Sequence, residues 1–66
     1  MIKIFIIDSN SSDQRIDKFL KRNFDNLTQS FIEKNLRKKN ILLNQQLTKS
    51  NKIIKVDDKI TIKNFS

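Results

Sequence analysis

Ile2, Ile4 and Ile6 alternate with Lys3, Phe5 and Ile7, the period of two that a strand requires, and Phe5 and Ile7 imply partial cover on both faces. Asp8 to Asp13 is a polar cluster whose side chains compete for backbone hydrogen bonds, which predicts a turn. The period then changes. Ile16, Phe19, Leu20, Phe24 and Leu27 follow spacings of three and four, one buried helical stripe within residues 11–27. Ser11 with Gln14 fits a capping box at its start, where Asp13 favours the positive helix end. In a second helix, Ile32 and Leu36 stack on one side, and either Thr28 or Ser30 can cap it, Ser30 with Glu33 offering a competing box. Ile41-Leu42-Leu43 reads as a short strand and Asn44-Gln45-Gln46 as a turn. Ile53, Ile54 and Val56 give a short strand or a core-anchoring bend, and Asp57-Asp58 the next turn. Ile60 and Ile62, alternating with Lys59, Thr61 and Lys63, make a last strand with one dry side. This order predicts an α+β fold, β-α-α-β-β-β, with two helices packed on one face of a small antiparallel sheet and the first and last strands paired.

With 66 residues the chain has room for a single domain, 1–66, and a thin core, since so short a chain buries only about 60% of its unfolded surface. It has no cysteine and no histidine, so neither a disulfide nor a thiolate or imidazole metal site is available and stability rests on packing. No cofactor is expected. Adjacent Asp57 and Asp58 would diverge in a strand and find no third ligand, so no metal is expected either. Nor does any nucleophile have a base to activate it. The net charge of +7, from 14 basic and 7 acidic residues, points to a polyanionic partner. No apolar run opens the chain as a signal segment, and neither helix has the wide greasy face that membrane surfaces need. A cytoplasmic protein with no membrane partner is expected.

The charge is concentrated. Residues 28–40 hold Lys34, Arg37, Lys38 and Lys39 against Glu33 alone, a local balance of +3, whereas 11–27 sum to +1 with Asp17 and Asp25 among the cations. Helical spacing puts Ser30, Lys34, Arg37 and Lys38 on the side of the second helix opposite Ile32 and Leu36, a rigid surface suited to phosphate. The mixed face of the first helix is an ordinary solvated one.

Arg15-Ile16-Asp17-x-Phe19-Leu20, Leu27-Thr28-Gln29-Ser30-x-Ile32, Leu36-Arg37-Lys38-x-x-Ile41-x-Leu43-Asn44, then Lys49 and Asp58-x-Ile60-x-Ile62 together resemble the S4 RNA-binding domain, the αL motif, from about Gln14 to Ile62. The strand-first beginning and the Gln14-Arg15-Ile16-Asp17 wording are most similar to the N-terminal domain of RluC-type large-subunit rRNA pseudouridine synthases. The resemblance implies an RNA-binding surface of Arg15, Thr28, Gln29, Ser30, Lys34, Arg37, Lys38 and Lys49. The implied partner is structured large-subunit rRNA, and the implied parent protein an isomerase with an attached catalytic domain. Hydroxyls and amides at the start of the second helix can donate to phosphate oxygens, and Arg37 can grip one with two parallel bonds.

Positions usually glycine in such domains are Lys39, Gln45 and Asp57 here, in a chain without glycine. Left-handed turns there strain Lys or Gln, so Asn40 and Asn44 are the residues suited to take them over, and Lys39 offers one more phosphate contact. Arg15-Ile16-Asp17 also resembles the wording that carries the catalytic aspartate of these synthases. Asp17, however, sits within the binding motif of a chain too small to wall a pocket for a flipped uridine, so it is assigned a structural role with Arg15 or a nearby lysine. Phe31, at the border of the basic face, is assigned to packing. Of Lys49, Lys52 and Lys55, only Lys49 is assigned to RNA. The expected function is thus non-catalytic positioning of RNA. The rival readings are a free-standing ribosome-associated protein of the same motif and a basic adaptor for an acidic protein.

Overall fold

The last strand of the sequence becomes the middle strand of the sheet in the computed structural model, which describes residues 2–65. Along the chain the elements are β1 (Lys3–Ile6), β2 (Gln14–Arg15), α1 (Ile16–Asn23), α2 (Gln29–Arg37), β3 (Ile41–Leu43), β4 (Ile53–Ile54) and β5 (Lys59–Ile62). β1 and β3 both pair antiparallel with β5, in the registers Phe5↔Ile60 and Leu43↔Ile60. The α+β fold and the first-to-last pairing follow the hydrophobic pattern. Ile60 and Ile62, on the middle strand, are buried against Ile16, Leu20, Ile32 and Leu36 of the two helices.

Three local expectations are corrected. Helix α1 begins at Ile16 rather than near Ser11, and its N-cap, Arg15, makes no side-chain capping bond. The reason is tertiary. Gln14 and Arg15 are drawn into a second, two-stranded sheet with β4, an element absent from the expected order. The amides of Ile16 and Asp17 then donate to the carbonyls of Lys52 and Ser50, which satisfies helix-start donors that a capping box would otherwise serve. Asp13 lies outside the helix, where its carboxylate pairs with Lys55 at 2.8 Å. In α2 the cap is Thr28, whose hydroxyl accepts from the Phe31 amide at 3.1 Å, so Ser30 is left inside the first turn.

The second correction concerns β1. Its buried side is that of Phe5 and Ile7, while Ile2, Ile4 and Ile6 are exposed. Phe5 chooses the face because it meets Phe19 and Phe24 edge to face, with ring centroids 5.5 and 5.9 Å away. Lys3 reaches over the Phe5 and Phe24 rings, 5.5 Å from each centroid, a cation–π contact that keeps its charge in water.

The third concerns the turns. Lys39 (φ 62°), Gln45 (φ 66°) and Asp57 (φ 72°) are themselves left-handed, joined by Asn44 (φ 51°), and Asn40 does not relieve Lys39. The Lys39 amide donates to Leu36 and the Asn40 amide to Asn35, a Schellman ending with lysine where glycine is favoured. Asn44 and Gln45 form the two-residue hairpin between Leu43 and Gln46, whose geometry requires positive φ at both positions. Side chains hold this strained hairpin: Asp58 accepts from Asn44 Nδ2 at 3.0 Å, and Asn44 Oδ1 accepts from the Lys59 amide at 2.9 Å.

Candidate nucleic-acid interface

Helix α2 turns Ile32, Asn35 and Leu36 into the core. Ser30, Lys34 and Arg37 project from the opposite side, exposed, with Lys38 exposed at the C-cap. The structure therefore gathers the four outward residues onto one surface. The ion pairs among the described residues are Arg15–Asp17 and Lys55–Asp13, so Lys34 and Arg37 enter none. Asn35 was not foreseen as a core residue. It is fully buried, donates to the Phe31 carbonyl at 2.9 Å and accepts from Asn40 Nδ2 at 2.9 Å, which ties the helix end to the strand that follows.

The other expected residues divide. Thr28 is exposed, with its hydroxyl engaged in capping. Arg15 lies at the start of α1, where Nε and Nη2 donate to both oxygens of Asp17, at 3.1 and 2.8 Å. Gln29 Nε2 donates to Asp17 Oδ2 at 3.0 Å and to Glu33 Oε2 at 3.1 Å, and its oxygen accepts from Lys21 Nζ at 2.8 Å. Ser50 Oγ also donates to Glu33 Oε2. Arg15 and Gln29 are thus held by carboxylates on the flank of the basic side. Lys49, on the loop after the hairpin, is exposed and shares a concavity with Arg37. Phe31 packs edge to face on Phe65, centroids 5.4 Å apart, as assigned.

The pairing of Asp17 with Arg15 was expected, whereas the bonds that bring Gln29, Lys21, Glu33 and Ser50 to the same flank escaped sequence reasoning, because Lys21–Gln29, Gln29–Asp17 and Ser50–Glu33 join residues 8 to 17 positions apart. The one available signal was Glu33, the lone acid in a basic stretch.

No family model matches the chain. Curated relatives do. Over 51 residues the chain is 47% identical to ribosomal large subunit pseudouridine synthase C of Rickettsia prowazekii, a match covering 77% of this chain and 17% of the relative. The same-named proteins of Rickettsia felis (47% over 58 residues) and Rickettsia typhi (43% over 61 residues) are covered to 19% and 20% of their lengths. The chain is similar to one segment of these pseudouridine synthases. It spans about a fifth of the length of the synthases it matches.

In this synthase-like segment Asp17 is 5% exposed and works as a clasp, receiving Arg15 and Gln29. Burial raises its pKa, but the hydrogen bonds from Gln29, Arg15 and the Lys18 amide outweigh burial and hold it below the ordinary aspartate value. Glu33 is lowered by Ser50 and then Gln29, and Asp58 by Asn44 and then the Lys55 amide. Groups whose folded pKa is depressed contribute stability above their unfolded values, near 4, which is lost as pH falls through the folded ones. Melting temperature should accordingly be flat from pH 7 to about 5 and fall below about pH 4. D17N, which strips Arg15 of its carboxylate, should melt lower at pH 7 and lose less on acidification. A flat profile down to pH 2 would show the clasp to be energetically idle.

Proposed function

We propose that this chain is an S4-like RNA-binding domain of a ribosomal large-subunit pseudouridine synthase. It holds structured rRNA so that the isomerising part of the enzyme reaches its uridine. The observation that carries this reading is the outward side of α2, where Lys34 and Arg37 stand exposed and outside any ion pair of the described residues beside Ser30. An exposed and predominantly basic face, on a rigid rod anchored by Ile32 and Leu36, attracts a sugar–phosphate strand and fixes its register while reading few bases. Similarity to a segment of rRNA-modifying enzymes supports RNA as the polyanion. Arg15, Thr28, Gln29 and Lys49 extend the surface. Arg15 and Gln29 contribute as oriented donors, because Asp17 and Glu33 restrict their rotamers.

An amide chemical-shift titration with an rRNA hairpin tests this. The largest changes are expected at Arg15, Ser30, Arg37 and Lys38. Log affinity should fall against log salt with a slope of about −3 to −4 if roughly four phosphates are neutralised. Salt-independent binding, or shifts confined to the sheet face of Ile2, Ile4 and Ile6, would overturn the proposal. Binding to an acidic protein but not to RNA would replace it with the adaptor reading.

A further inference from the structure

Beside α2 the loop after the β3 hairpin borders an open concavity of about 890 Å³. The first concavity adjoins a second, of about 510 Å³, across Leu43, Asn44, Asn51 and Lys52, which line both. Leu36 and Leu43 line the first, and so does Leu47, which is 58% exposed. Arg37, Lys49 and Lys52 line the same space. The carboxylates present are already engaged: Glu33 accepts from Ser50 and Gln29, and Asp58 accepts from Asn44 and the Lys55 amide. Apolar walls, a cationic surround and the side-chain amides of Gln46 and Asn51 describe a seat for something flat and apolar that carries a phosphate.

We infer that this concavity seats an unpaired nucleotide of the bound RNA, the base lying against Leu47 and the Arg37 guanidinium and its phosphate meeting Lys49 and Lys52. The inference rests on the proposed RNA-binding function and adds to it a preference for a bulged or looped base. A paired base keeps its ring inside the helix, where only its edges are reachable, so just an unstacked base can enter a concavity. The volume falls in the range of about 300–1,000 Å³ typical of ligand clefts. Charge complementarity selects the occupant: an apolar peptide would gain nothing from Arg37, Lys49 and Lys52, whereas each nucleotide brings one phosphate.

Two hairpins, identical but for one bulged 2-aminopurine, separate this inference from the function it rests on. End-label anisotropy reports binding, and 2-aminopurine emission reports the base. The bulged hairpin is expected to bind about tenfold more tightly than the paired one, a difference of about 1.4 kcal/mol. Its emission should change on binding, and the Leu47 and Lys52 amides should shift. L47S, at a solvent-exposed position, should erase the difference between the hairpins. Equal affinities with unchanged emission overturn the base seat and leave the RNA-binding function standing. Failure to bind either hairpin overturns both.

Discussion

The double variant K34Q/R37Q should bind an rRNA hairpin about 100-fold more weakly than the unaltered chain at 0.1 M salt, because two charge-assisted phosphate contacts are worth roughly 1.5 kcal/mol or more each. Both side chains are exposed and outside the ion pairs of the described residues, and Glu33, the carboxylate that feels the Arg37 charge, keeps its hydrogen bonds from Ser50 and Gln29. The helix is held from its other side by Ile32, Asn35 and Leu36, all buried. The stability cost should therefore stay within about 1 kcal/mol, the loss of two favourable charges near the helix C-terminus. The slope of log affinity against log salt should become shallower by nearly 2. K18Q/R22Q, on the mixed face of α1, is the matched control and should change affinity by no more than a few-fold. Equal losses from both pairs would mean that binding follows net charge alone and that the α2 surface has no special place in it.

The triple variant K39G/Q45G/D57G should be more stable than the natural chain by about 2 kcal/mol, a rise in melting temperature of roughly 8–16 °C for a domain this small. Each of these residues holds positive φ, between 62° and 72°. A Cβ there crowds the following carbonyl at roughly 1–2 kcal/mol per residue. Glycine removes that crowding and returns part of the gain, about 0.5–1 kcal/mol, as unfolded-state entropy. Lysine and glutamine should yield more than aspartate, whose short polar side chain tolerates the region. Thermal melts of the three single variants resolve the order. A triple variant no more stable than the parent would show that hydrogen bonds such as Asn44 to Asp58 have already absorbed the strain. K39G alone also removes a cation, so a fall in RNA affinity confined to that variant would place Lys39 on the interface.

Much of the fold was legible because two periodicities are written plainly. Ile16, Phe19 and Leu20 at helical spacing, and Ile60 and Ile62 at strand spacing, all reach the core. The outward grouping of Ser30, Lys34 and Arg37 was legible for the same reason, since 100° per residue places them without knowledge of any neighbour. Residues whose fate depends on a distant partner were not legible. Ser11 and Gln14 have the chemistry of a capping box, yet Gln14 and Arg15 pair with Ile54 and Ile53, forty and thirty-eight positions away, and the helix starts later. Lys52 looked like one more solvated lysine and instead borders a concavity between α2 and the loop that follows the hairpin.

By itself the sequence determined the elements, the buried stripes and the side of α2 on which positive charge collects. These depend on geometry repeated every two or 3.6 residues, which needs only local spacing. The tertiary structure alone decided which face of β1 is dry, where α1 begins, that Asp17 and Glu33 hold Gln29, and that Leu47 and Lys52 share a concavity with Arg37. Each of those outcomes is a competition between local preference and a contact made across the chain. The contact won where it paired a backbone strand, packed an aromatic ring or satisfied a buried carboxylate, since an unmet buried polar group costs more than a lost local preference.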